Sequence, residues 1–149
     1  MSAALTLATP DHLDTLLILV EKFHTEEGMT STPSKRRAGL APLLDGSPYG
    51  CVYLIGPPRS PIGYMVITLT WSVEFGGLDG TIDELYIRPG VRGRGIASEA
   101  LIALPRALAG GGLRTIHLEV DKDNAAALKL YRRAGFVLNE NYLFMTKHL

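Results

Sequence analysis

At 149 residues, with 46% hydrophobic and 20% charged side chains, the chain is long enough for one domain with a sizeable buried core. Its 15 basic and 15 acidic side chains leave no formal net charge at pH 7, which excludes a general pull toward nucleic acid or an anionic membrane. Cys51 is the only cysteine, which excludes an internal disulfide and a cysteine-rich zinc site and suits a reducing cytoplasm.

The first residues lack the basic start and long apolar run of an export signal. The run Leu16 to Val20 falls far short of the roughly 20 apolar residues that span a bilayer. A single cytoplasmic domain over residues 1–149 is therefore expected. Ala3 to Ala8 reads as a first strand. Thr9-Pro10-Asp11 reads as a helix start, with a hydroxyl cap, a proline where its missing N–H costs nothing, and an acid at the positive dipole end. Leu13, Leu16, Leu17 and Val20 recur at helical spacing, and the helix is expected to end near Gly28. Phe23, His24 and Glu27 continue its inward stripe, so polar groups reach the mouth of the core.

A second helix, Ser34 to Asp45, is weakened by Gly39 and Pro42. Tyr49 to Ile55 reads as a buried strand that holds Cys51 in packing, and Ile62 to Phe75 as a long strand. Gly76 to Gly80 reads as a turn into the strand Ile82 to Arg88, which completes an antiparallel meander. A helix from Ile96 to Ala109 carries Pro105 near its end, and Gly110-Gly111-Gly112 stops it. Leu113 to Val120 is then a strand parallel to Ile82–Arg88, because a helix links the two. Ala125 to Ala134 is a helix capped by Asp123 or Asn124 and stopped by Gly135. Phe136 to Leu138 and Asn141 to Lys147 read as further strands.

The most informative stretch is Asp83 to Ala97. It joins a short apolar strand, a glycine- and arginine-rich turn and the start of a helix. Gly93 and Gly95 let backbone come close to a ligand, and the helix start near Gly95 offers unpaired N–H groups and a positive dipole end. Arg88, Arg92 and Arg94 add charge, so the turn suits an anion such as a diphosphate. Neither the nucleoside-triphosphate loop nor the dinucleotide Gly-x-Gly-x-x-Gly pattern is present.

Two motifs in order give the chain a family likeness. Arg92-Gly93-Arg94-Gly95-Ile96-Ala97 fits the Gln/Arg-x-x-Gly-x-Gly/Ala loop of the GNAT superfamily of N-acetyltransferases, and Asn124 to Phe136 fits its Asn-x-x-Ala-x-x-x-Tyr-x-x-x-Gly-Phe signature. The chain thus resembles that superfamily over essentially its whole length. The resemblance implies an α+β fold with a mixed, mostly antiparallel sheet of six to seven strands flanked by about four helices. It implies acetyl-CoA as co-substrate, with no metal, held by Ile87, the loop Arg92, Gly93, Arg94, Gly95, Ile96 and Ala97, and Asn124. It implies an oxyanion donor in the backbone N–H at or beside Ile87, a proton donor for the leaving thiolate in Tyr131, and a small-molecule amine as acceptor. It also allows a homodimer.

Acetyl transfer to an amine further requires a base. Asp83 and Glu84 are adjacent on a strand and so point to opposite faces. Asp83 shares its face with Leu85 and Ile87, which suggests the more buried side. Glu84 shares its face with Tyr86 and Arg88 and has the easier access, which tips the choice toward Glu84. His24, Glu27, Trp71 and Glu74, with Glu26, are expected to frame an acidic acceptor groove that favours a cationic amine. The alternatives are an acetyltransferase acting on a protein or peptide amine and an acyl-CoA-binding module without catalysis.

Overall fold

The computed structural model describes residues 3–149. The chain groups into two compact units, one running to Glu119 and one from Val120 to Leu149.

The first unit is built on a five-stranded sheet of order β1-β2-β3-β4-β5: β1 (Leu5–Leu7), β2 (Gly50–Ile55), β3 (Gly63–Ser72), β4 (Gly77–Ile87) and β5 (Leu113–Leu118). The β1-β2-β3-β4 run is antiparallel, and β5 joins β4 in parallel after a helical crossover. This is the expected meander and crossover. The sheet has five strands among the described residues, below the six to seven the resemblance implies.

Helices α1 (Leu13–Glu26) and α2 (Pro33–Leu44) cover one face. Their Leu16, Leu19, Val20, Leu40 and Leu44 pack with Val52, Leu54, Tyr64, Val66 and Tyr86 in one buried cluster. Strand alternation turns Ile55, Met65 and Ile67 to the other face, and the buried Ile96, Ala100, Leu101 and Leu104 of α3 (Ile96–Ala107) stand outside that cluster. Burying a Leu or Ile side chain is worth about 1.5–3 kcal/mol, so these two layers dominate the stability of the unit. Pro105 lies near the end of α3, which stops two residues later at Ala107 and gives way to a 3-10 turn.

Several boundaries move for physical reasons. The β3–β4 turn is residues 73–76, and Gly77 to Gly80 belong to β4. A Cβ on Gly77 would lie 2.7 Å from the Arg114 side chain, and one on Gly80 would lie 3.1 Å from Leu113. These glycines serve close approach to β5; they do not turn the chain. Cys51 is half-buried, and burial pushes its thiol up from the ordinary value. Asp83 is exposed, contrary to the side expected for it. The β3–β4 register pairs Val66 with Glu84 but Ile67 with Ile82, so Asp83 is the extra residue of a β-bulge. The bulge breaks simple alternation: Ile82 joins the Ile67 face, while Glu84 joins Tyr64 and Tyr86 under α1 and α2.

The second unit holds α4 (Ala125–Arg133). Asn124 Oδ1 accepts from the Ala127 N–H at 3.1 Å and caps its start. Gly135 ends it with φ +95°, while the Gly135 and Phe136 N–H groups donate to the Arg132 and Tyr131 carbonyls. This is a Schellman stop, completed by the Tyr131 and Phe136 rings meeting at 6.0 Å. The strands expected at Phe136–Leu138 and Asn141–Lys147 do not form. Tyr142-Leu143-Phe144-Met145 is a continuous apolar run, all four exposed, without the alternation that fixes a one-sided register.

Candidate active site

The carboxyl half of β4 is where the sheet opens. Its ladder with β5 ends at Ile82–Leu118, beside the bulge, so residues 84–87 pair with β3 alone. The Arg88 N–H donates to the Ile62 carbonyl at 2.8 Å, which makes that pair, and by alternation Tyr86–Tyr64, the hydrogen-bonded ones. The N–H and C=O of Leu85 and Ile87 therefore face away from β3, on the side where β5 has left. The Ile87 carbonyl is taken by the Arg92 Nε–H at 2.8 Å.

The loop that follows has a geometry that could hold an anion. Gly93 and Gly95 have φ +77° and +76°, and space is open around both where a Cβ would sit. Gly95 caps α3, whose first intrahelical bond runs from the Glu99 N–H to the Gly95 carbonyl. The N–H groups of Ile96, Ala97 and Ser98 thus have no acceptor within the helix. Arg92 is less free than its charge suggests. Its guanidinium donates to Glu26 at 2.8 Å and lies 5.6 Å over the Tyr86 ring, and pairing with Glu26 raises its pKa further. The uncommitted positive charge at the loop comes from Arg94 and the α3 dipole, since Arg94 has no ion pair among the described residues. The chemistry fits a diphosphate carried on backbone amides.

On the α1–α2 face of β4, Glu84 sits in a polar cluster inside an aromatic rim. Its Oε1 accepts from the Tyr64 hydroxyl at 2.7 Å, and its Oε2 lies 2.8 Å from His24 Nε2. His24 and Glu84 side chains are only 14% and 15% exposed. Burial, and next the Glu84 carboxylate, push the Tyr64 phenol far above its usual range, so it stays protonated and donates. Phe23, Tyr64 and Tyr86 surround the cluster with ring centroids 6.0–6.3 Å apart. Charge-assisted bonds of this kind are worth about 1.5–3 kcal/mol each, and an unpaired Glu84 here would cost at least as much.

Of the residues singled out in the sequence, His24 and Glu84 are brought together, with Ile87 and the loop from Arg92 to Ala97 at the end of the same strand. Glu27, the C-cap residue of α1, and Asp83 are exposed nearby in sequence. Trp71 and Glu74 lie at the β3–β4 hairpin tip. Trp71 pairs with Leu78, six residues before Glu84 and so about 20 Å along the strand. Tyr131 and Asn124 lie on and at the start of α4 in the second unit. Tyr64, Ser31 and Arg36 were not singled out, although a buried tyrosine in a strand does announce a need for a hydrogen-bond partner. Among the described residues no group of three or more His, Cys, Asp or Glu could hold a metal ion. No helix among them is long and apolar enough to cross a membrane.

Known proteins agree with this architecture. The acetyltransferase (GNAT) family profile matches residues 14–136. The mycothiol acetyltransferase of Streptomyces coelicolor is 42% identical over 64 residues, covering 43% of this chain and 21% of that protein. Acetyltransferase SG1711 of Sodalis glossinidius is 32% identical over 77 residues, covering 50% of this chain and 54% of that protein. The matched stretch thus spans about a fifth of the mycothiol acetyltransferases' length. Among solved structures, integron cassette protein HFX_CASS3, from the mobile metagenome of Cole Harbour Salt Marsh, superposes with a TM-score of 0.83 at 27% identity, over 97% of this chain and 90% of that one. AAC(6')-Iy, solved with a bisubstrate analogue of CoA and acetylneamine, superposes with a TM-score of 0.81 at 15% identity over 98% of both chains, a likeness of fold. With the profile covering most of its length, the chain belongs to the GNAT acetyltransferase family.

Proposed function

We propose that the protein is an acetyl-CoA-dependent N-acetyltransferase that acts on the primary amine of a small, cationic molecule by direct attack. The observation that carries this reading is the loop from Arg92 to Ala97, with two left-handed glycines, open space around both, and the free N–H groups of α3 behind it. Its position supports the same reading, because it follows the one stretch of β4 that has backbone donors without a strand partner on that side.

In this reading the amides from Arg92 to Ala97 carry the diphosphate, and Arg94 adds charge. The Ile87 N–H meets the thioester oxygen as negative charge develops there, where a preformed donor is worth most. Acetyl-CoA supplies the activated acyl group. Glu84 takes the proton from the attacking amine, directly or through one water, and Tyr131 supplies a proton to the departing thiolate. Asn124 caps α4 with its oxygen and keeps its amide nitrogen for the cofactor. Glu84, with the exposed Glu27 and Asp83 in sequence-near segments, favours a cationic acceptor. Glu26 contributes less, since Arg92 already pairs with it. Trp71 and Glu74 fall outside the reaction centre. The relatives named mycothiol acetyltransferase support a small-molecule acceptor over a peptide.

The test is thiol release from acetyl-CoA across a panel of polyamines, amino sugars, amino acids and peptide amines. Turnover is expected with cationic small amines. Preference for an anionic amine overturns the cationic acceptor, and preference for peptides favours the protein-modifying alternative. Tight acetyl-CoA binding with no thiol released from any amine marks a binding module.

A further inference from the structure

His24 is held from both sides, and the far side is not part of any catalytic role described above. Its Nδ1 lies 2.7 Å from the Ser31 hydroxyl. Arg36, on α2, donates from one nitrogen to both the Ser31 carbonyl, at 2.7 Å, and the Ser31 hydroxyl oxygen, at 3.1 Å. Its other terminal nitrogen lies 3.6 Å from Glu21 on α1, and the Arg36 side chain is 9% exposed. Ser31 reaches His24 because α1 ends in a Schellman stop. Gly28 takes φ +71°, the Met29 N–H donates to the His24 carbonyl at 2.8 Å, and the chain folds back over the last turn.

We propose that Ser31 and Arg36 are positioning residues that lock the tautomer of His24, holding its ring hydrogen on Nε2 toward Glu84. The donors and acceptors around Ser31 leave one arrangement that satisfies them all. Arg36 can only donate, so the lone pair of Ser31 Oγ that faces it is occupied. The hydroxyl hydrogen then turns to the remaining neighbour, His24 Nδ1, which accepts. A neutral imidazole that accepts at Nδ1 carries its hydrogen on Nε2, and that hydrogen meets Glu84 Oε2. On the other side of the carboxylate, Tyr64 is fixed as a donor to Oε1. Glu84 is thus held by two donors from fixed directions, and its remaining lone pairs are left for a substrate.

This reading deepens the proposed role of Glu84 and rests on it for its catalytic consequence. The tautomer itself can be observed without substrate. The experiment is 15N NMR of the ring nitrogens of His24 in the full chain, free of acetyl-CoA and amine. The wild type is expected to give the protonated-Nε2, bare-Nδ1 pattern. Ser31→Ala is expected to give a tautomer mixture, and Arg36→Gln to do the same or fail to fold. Arg36→Lys, which keeps the charge and loses the fork, is expected to restore the wild-type pattern in part. In turnover assays Ser31→Ala is expected to lower kcat about tenfold and leave the KM for acetyl-CoA unchanged. A protonated-Nδ1 pattern in the wild type, or an unchanged pattern in Ser31→Ala, overturns the proposal. An intact tautomer lock in a chain that releases no thiol overturns the transferase reading and leaves this one standing.

Discussion

The two halves of β4 are built to opposite ends. From Leu78 to Ile82 the strand is paired on both edges, and Gly77 and Gly80 let β5 come close. From Glu84 to Ile87, past the bulge at Asp83, it is paired on one edge only, and one face carries Glu84, a carboxylate among aromatic rings. In the first half a strand lies along both edges, which suits stability. In the second, alternate backbone groups have no strand to meet them, and a largely covered acid depends on Tyr64 and His24. The unpaired backbone groups and the polar cluster both lie where the regular ladder stops, so the two halves should respond differently to mutation.

The largest effect is expected for Glu84→Gln. It keeps the shape and removes the charge, so kcat should fall roughly a thousandfold while acetyl-CoA binding, read by calorimetry, stays within a few fold. Near-normal turnover with a raised acceptor KM would instead make Glu84 a docking group. Gly95→Val comes next. A β-branched residue at φ +76° is strained by about 1–3 kcal/mol and fills the space beside the amides, so acetyl-CoA affinity should drop roughly a hundredfold. Tyr131→Phe removes only a hydroxyl, and the ring still meets Phe136. It should slow turnover about a hundredfold under conditions where chemistry is rate-limiting, with cofactor affinity unchanged. The doubly paired half should behave in reverse. Ile82→Ala, at a buried position, should cost about 2–5 kcal/mol in denaturant unfolding and leave kcat per folded molecule as it was. Glu74→Gln, at the hairpin tip, should stay within about twofold on kinetics and about 0.5 kcal/mol on stability.

The parts of the site legible in the sequence were those encoded locally. The Gly93/Gly95 turn and the Asn124-to-Phe136 segment each specify their own backbone through caps and left-handed glycines, and both formed as read. The second motif even explains itself: Asn124 starts α4, Gly135 stops it, and Tyr131 and Phe136 are the ring contact that such a stop brings together. What the sequence hid depends on residues far apart in the chain. Tyr64 and Glu84 are 20 residues apart, His24 and Glu84 are 60 apart, and Glu26 and Arg92 are 66 apart. No local pattern announces those partners. Arg92 therefore read as bare charge for a phosphate, while in the fold much of that charge meets Glu26. Asp83 was misplaced because alternation assumes an unbroken ladder. Trp71 and Glu74 fall in a segment expected to frame the same groove as Glu84, and strand length separates them.

The bulge at Asp83 makes the site sensitive to chain length as well as to side-chain identity. A bulge bends its strand and increases the local twist, and the β4–β5 ladder ends right beside this one. Deleting Asp83 would leave Ile82 and Glu84 as ordinary neighbours, each still on its own face, in a ladder with no extra residue. Such a chain should fold with its core intact and with β4 straighter, so that β5 could stay paired past Ile82 and close the backbone donors of Leu85 and Ile87. Loss of this one exposed residue should therefore leave the fold standing while it reshapes the backbone beside Glu84, and the comparison with Asp83→Asn, which keeps the chain length, separates the bulge from the side chain.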